Sequence, residues 1–217
     1  MAAPDEQAKP FEAYVQTVEH IHLVSRLLSS AVVQILRRAI THDRSKLIPP
    51  EVEMFAEVTH KLRGLTYGSP EYEACRQEML GGALGHHYEH NRHHPEFFGK
   101  REENPEINDY VAAVYCAIGG GELDEKTLTD CHKLIDMLNR QQAEHTSSIN
   151  EMNLFDLIEM LVDWIAASKR HDDGNIAESL RYNKNRFFMG DQLAQIFKNT
   201  VPWIEDEFSG LKTQKDL

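Results

Sequence analysis

Thr41-His42-Asp43-Arg44-Ser45-Lys46-Leu47 closes a long apolar helical pattern, and its adjacent histidine and aspartate decide how the rest of the chain is read. An imidazole nitrogen beside a carboxylate oxygen is the mixed donor pair that suits zinc, iron, manganese and similar divalent ions. Further donors lie on either side: His20 and His22 before the pair, His86, His87, His90, His93 and His94 after it, and Asp156, Glu159 and Asp163 much later. Five of the twelve histidines fall between positions 86 and 94, too many to pass as a solvated helix end.

Upstream, from about Phe11 to Ile40, apolar residues recur at helical intervals and cover more than one face, which predicts a largely buried helix. His20 and His22 lie roughly 200° apart on it, given about 100° of rotation per residue, so only one can face a given centre. His20 shares a stripe with Val24, Leu27, Ala31 and Ile35 and is the favoured candidate.

Downstream, Pro49-Pro50 breaks the chain, because neither proline has an N–H to donate. Helices are expected from Glu51 to about Leu62 and from Glu71 to Glu89, the second with a close helix contact or a local bend at Gly81, Gly82 and Gly85. His86 and His90 are i,i+4 neighbours on a helical face, as are His90 and His94 if the helix persists, before His93-His94-Pro95-Glu96 ends it. Residues 100–150 read as an inserted helical hairpin, a candidate lid, with helices over Tyr110–Ile118 and Lys126–Gln142 about the glycines at 119–121. From Asn150 to His171 runs the clearest amphipathic helix, with Asp156, Glu159 and Asp163 at i, i+3 and i+7 on one face. Carboxylates placed together among apolar neighbours call for a compensating cation or bound hydrogen-bond donors. A turn at His171-Asp172-Asp173-Gly174-Asn175, a helical section carrying Arg186, a helix over Asp191–Asn199 and a segment around Trp203 complete an all-α reading with no strand pattern.

The 217 residues, 41% hydrophobic and 27% charged, fit one domain over 1–217 with mobile ends at 1–10 and 209–217. No apolar run approaches the roughly 20 residues of a membrane span, and no secretory signal opens the chain, so a cytoplasmic protein is expected. A net charge of −12 argues against binding long nucleic acid. Cys75, Cys116 and Cys131 show no CxxC spacing and are expected to be reduced and buried. Homo-oligomerisation stays open.

His20 or His22, then His42-Asp43 with Lys46 in an HDxxK arrangement, then Met160-Leu161-Val162-Asp163-Trp164-Ile165-Ala166-Ala167 together resemble the HD-domain superfamily of metal-dependent phosphohydrolases. The region around His86-His87 is similar to the extra histidines of members that bind a second metal. His-Asp-x-Ser-Lys, Asn-Arg-His-His-Pro-Glu and the Asn153–Trp164 stretch resemble, more narrowly, a poorly characterised family of bacteria and their phages. The resemblance implies a single HD-like helical bundle carrying the hairpin as an insertion. It implies one or two divalent transition metals (Mn, Fe, Co, Ni or Zn) held by His20, His42, Asp43 and Asp163, with His86, His87, His90 and His94 as second-metal candidates. In that setting Asp43, Lys46 and Glu159 are the catalytic candidates, and Lys46, Arg92, Arg170 and Arg186 the candidates for binding a nucleotide or similar small phosphate ester. Glu51 is a candidate to pair with Lys46 or to position the attacking water. The superfamily also contains di-iron oxygenases, and a metal-stabilised protein without catalysis is a third expectation.

Overall fold

The computed structural model describes residues 8–56, 64–65, 69–99, 101–119, 123–170 and 174–213, and every regular element among them is helical. Residues 1–7 of the expected leader, much of the expected 51–62 helix, residues 171–173 of the expected turn and the last four residues lie outside the described set. No described helix is long and apolar enough to cross a membrane.

The chain divides into two compact units, Met1–His42 and Asp43–Leu217. The first is one helix, α1 (Ala8–Thr41), 34 residues long. Its expected burial is not observed, since Leu27 and Leu28 are each 62% exposed and both His20 and His22 are exposed. Apolar periodicity records that a helix has a face to cover, not where the cover comes from. Ile21, Val24, Leu28 and Val32 border a shallow apolar groove along it.

The second unit opens with a single 3-10 turn (Arg44–Leu47), followed by a helical stretch at 51–56. The helix expected over 71–89 is two, α2 (Pro70–Leu80) and α3 (Ala83–His90), parted at Gly81-Gly82. Ser69 caps α2 by accepting the Tyr72 N–H at 3.1 Å. A Cβ at Gly85 would stand 2.4 Å from the Leu80 carbonyl oxygen, so the two helices close on each other where only glycine fits. Tyr182 donates to Glu73 at 2.5 Å across 109 residues and ties α2 to a later helix. The Tyr182 phenol is pushed up to about 12 by burial and by that carboxylate.

The hairpin is present as α4 (Pro105–Gly119) packed on α5 (Glu125–His145), both longer than expected. The cysteines are free, but Cys116 on α4 is exposed, and Cys75 and Cys131 are only partly covered. The core lies further on, among α6 (Leu154–Ser168), α7 (Ile176–Arg186) and α8 (Asp191–Thr213). Met160, Leu161, Trp164 and Ile165 pack there with Leu180, Met189, Phe197 and Val201. Trp164 stacks on Phe187 with ring centres 6.1 Å apart, so these two rings serve the core. α8 continues through Pro202 and past Ser209, where a helix ending at Asn199 and a fraying tail were expected. The burial of Phe197 and Val201 just ahead of the proline favours continuing the helix over the hydrogen bond the proline removes.

Candidate metal centre

Asp43 begins the second unit in the left-handed backbone region, at φ 54° and ψ 16°. Few residues other than glycine adopt it, and aspartate is among those that do. The conformation starts the 3-10 turn, closed by the Lys46 N–H donating to the Asp43 carbonyl at 3.0 Å. The same turn brings the Lys46 Nζ to 2.6 Å from Asp43 Oδ2. Asp43 Oδ1 faces inward, 3.2 Å from His87 Nε2 and 3.3 Å from His93 Nε2. His94 Nε2 lies 3.0 Å from His87 Nε2.

His87 rides on α3, whereas His93 and His94 follow it in a non-helical turn. Asn91 makes that turn: at φ −123° it leaves the helix, and its Nδ2 donates to the His87 carbonyl at 2.8 Å and to Ser45 Oγ at 2.9 Å. Proline at position 95 then prevents the helix from resuming.

Asp43, His87, His93 and His94 offer donor atoms that all lie within 4.8 Å of one another. Neighbouring ligands on one ion with bonds of about 2.1 Å stand about 3.0 to 3.4 Å apart, for octahedral and tetrahedral angles respectively. The separations of 3.0, 3.2 and 3.3 Å match that spacing, so these residues fit a divalent ion.

The histidines are held from behind. His87 Nδ1 sits 2.9 Å from Glu51 Oε2, and His93 Nδ1 sits 3.3 Å from Glu159 Oε1. An ionised carboxylate has no proton to give, so both Nδ1 atoms carry the N–H. Burial pushes the His93 pKa down, but its bonds to Asp43 and Glu159 more than offset this and raise it. Burial, with His93, His87 and Lys46 nearby, holds His94 well below the usual imidazole value and leaves it neutral. Burial also raises the Asp43 carboxyl, yet the His93 hydrogen bond and the Lys46 ammonium outweigh it and keep the group ionised.

Of the sequence candidates, Asp43, His87 and His94 come together with His93, and a carboxylate oxygen of Asp163 lies within 4.8 Å of one on Asp43. Lys46 and Glu159 adjoin this group. His20 and His42 belong to the first unit. His86 bonds through Nδ1 to Glu51 Oε1 at 2.8 Å, and His90 stacks on it while bonding the His86 carbonyl, so both stand outside the group. Arg92 donates to the buried Asp156 at 3.1 Å and lies over Phe97 and Phe98. Asp156 completes a capping box with Asn153 at the start of α6, which accounts for a carboxylate that had read as one of an acidic row. Arg186 pairs with Glu96 at 2.5 Å and lies over Phe187, and Arg170 is exposed in the turn after α6. Glu51, expected near Lys46 or a water, bonds His86, His87 and Ser45. No spacing signalled this, because the two histidines lie 35 and 36 residues further along.

Fold and site together define an all-α protein with a buried histidine and carboxylate group able to hold a metal ion. The chain belongs to a family of unknown function, DUF5662, whose pattern matches residues 9–117 and 132–205. Both hairpin helices are largely inside that match, and only residues 118–131 interrupt it. No curated protein and no solved structure matches the chain.

Proposed function

We propose that the chain is a metal-dependent phosphohydrolase acting on a nucleotide or a similarly small phosphate ester. The observation that carries this is the meeting of His87 and His93 on one oxygen of Asp43, with His94 beside His87, while Lys46 holds the other oxygen. A divalent ion there would supply a water of lowered pKa and polarise a phosphoryl oxygen. Asp43 and the three histidines would hold it, with Asp163 offering a second carboxylate beside Asp43. Lys46, its side chain 32% exposed, offers ammonium protons to the substrate phosphate from the rim. Glu159 keeps His93 oriented by accepting its Nδ1–H. The net charge of −12 favours a small ester over a long phosphate backbone. The resemblance to the HD-domain superfamily is in line with this assignment.

A second reading, oxygen activation at an iron pair, draws on the nitrogen-rich donor set and on the Asp43 and Asp163 carboxylates side by side. Metal quantification on protein purified without added metal, followed by a screen of nucleotides and phosphate esters for phosphate release, separates the two. Hydrolysis predicts phosphate release that is lost in His93→Ala. Iron with a visible absorption band and oxygen uptake, without phosphate release, would replace it by the oxygenase. A bound metal that only raises the melting temperature, with no turnover in either assay, would assign a metal-stabilised binding protein.

A further inference from the structure

We propose that Glu51 is a positioning residue for the candidate centre, fixing the proton of His87 on Nδ1 so that Nε2 presents its lone pair beside Asp43. The inference rests on the reading of Asp43, His87, His93 and His94 as a metal-holding set. Glu51 is 0% exposed. A carboxylate taken wholly out of water is costly unless donors surround it. Here its Oε2 accepts from His87 Nδ1 at 2.9 Å and from Ser45 Oγ at 2.9 Å, while Oε1 faces His86 Nδ1 at 2.8 Å. Asn91 donates to Ser45 Oγ at 2.9 Å and so orients the hydroxyl toward the acid. The His87 ring stands between Glu51 and Asp43, one nitrogen to each, so Glu51 acts on the centre only through the imidazole.

This also gives His86 a task that metal ligation does not. Its side chain is 35% exposed and clamps the outer oxygen of the acid that the inner histidine uses. Two consecutive histidines share one carboxylate, an oxygen apiece, and only the inner one faces the candidate centre.

Glutamine at position 51 has one acceptor oxygen and one N–H2 group, so it cannot accept from both imidazoles at once. One ring must then move its proton to Nε2, and where that ring is His87 the proton points at the centre. The test is a Zn2+ competition against a chromophoric chelator, with Co2+ visible spectra, on wild type, Glu51→Gln, His86→Ala and Glu73→Gln. Carboxylates behind ligating histidines are typically worth roughly 10- to 100-fold in metal affinity, and Glu51→Gln is expected to lose that much and to shift the Co2+ bands. Its metal-free circular dichroism is expected to match wild type. His86→Ala is expected to lose a smaller factor. Glu73→Gln, which disturbs the carboxylate bonded to Arg76 and Tyr182, is expected to leave affinity within about twofold, separating positioning from general loss of a partly buried charge. Wild-type Zn2+ affinity and Co2+ bands in Glu51→Gln overturn the proposal. If that variant does not fold, unchanged affinity in His86→Ala overturns it instead. A wild-type protein that takes up neither ion removes the metal reading itself and this inference with it.

Discussion

Asp43 combines two requirements in one residue: a backbone at φ 54° and a carboxylate shared between two imidazoles and an ammonium. Asparagine tolerates the left-handed region as well as aspartate does, so Asp43→Asn removes the charge while keeping the turn. That variant is expected to lose metal retention with unchanged helix content, measured by elemental analysis and far-ultraviolet circular dichroism; full occupancy would exclude Asp43 as a ligand. Lys46→Ala is expected to retain the metal and to raise KM for a phosphate ester, and kinetics identical to wild type would remove Lys46 from the substrate site. The Asp43 and Lys46 pair was legible because both lie in one short stretch. The histidines were legible as a cluster but not one by one. Helical spacing favoured His86, His90 and His94, whereas the helix stops at His90 and an asparagine-made turn aims His93 and His94. A turn held by a side chain bonding back to a carbonyl leaves no periodic trace.

At the scale of elements, glycine and caps decide what the helices deliver. A methyl group at position 85 would meet the Leu80 carbonyl at 2.4 Å, backbone that cannot swing aside. Gly85→Ala is therefore expected to destabilise the protein by about 1–3 kcal/mol in urea unfolding, the range for overpacking. Gly82→Ala meets only the flexible end of Met54 and should cost less. Asn153 accepts from the Phe155 and Asp156 N–H groups at the start of α6. Asn153→Ala is expected to cost about 1 kcal/mol in the same measurement. α6 was readable from its periodicity, but its capping box was missed, although Asn153 and Asp156 stand three apart ahead of an apolar run. What misled was the row of acids: Asp156 caps the helix and pairs with Arg92, Glu159 backs His93, and only Asp163 comes within reach of Asp43. Residues that share a face have separate partners when the neighbouring elements differ along its length.

Across the whole molecule, helical class and hairpin followed from pattern, because both depend on local spacing. The burial of α1 did not follow, since burial belongs to the assembled surface. The candidate ligands and their backing acids stand at 43, 51, 87, 93, 94, 159 and 163, so they meet only once distant stretches of chain have come together. Bound Zn2+ at 100 times its dissociation constant is expected to add about 2.7 kcal/mol to stability, read as a higher melting temperature that a chelator reverses. Because the donors are so far apart in the chain, an ion held there would act as a latch that shuts last. In stopped-flow experiments its contribution is expected to fall on the unfolding limb, slowing escape from the native state while leaving the refolding rate almost unchanged.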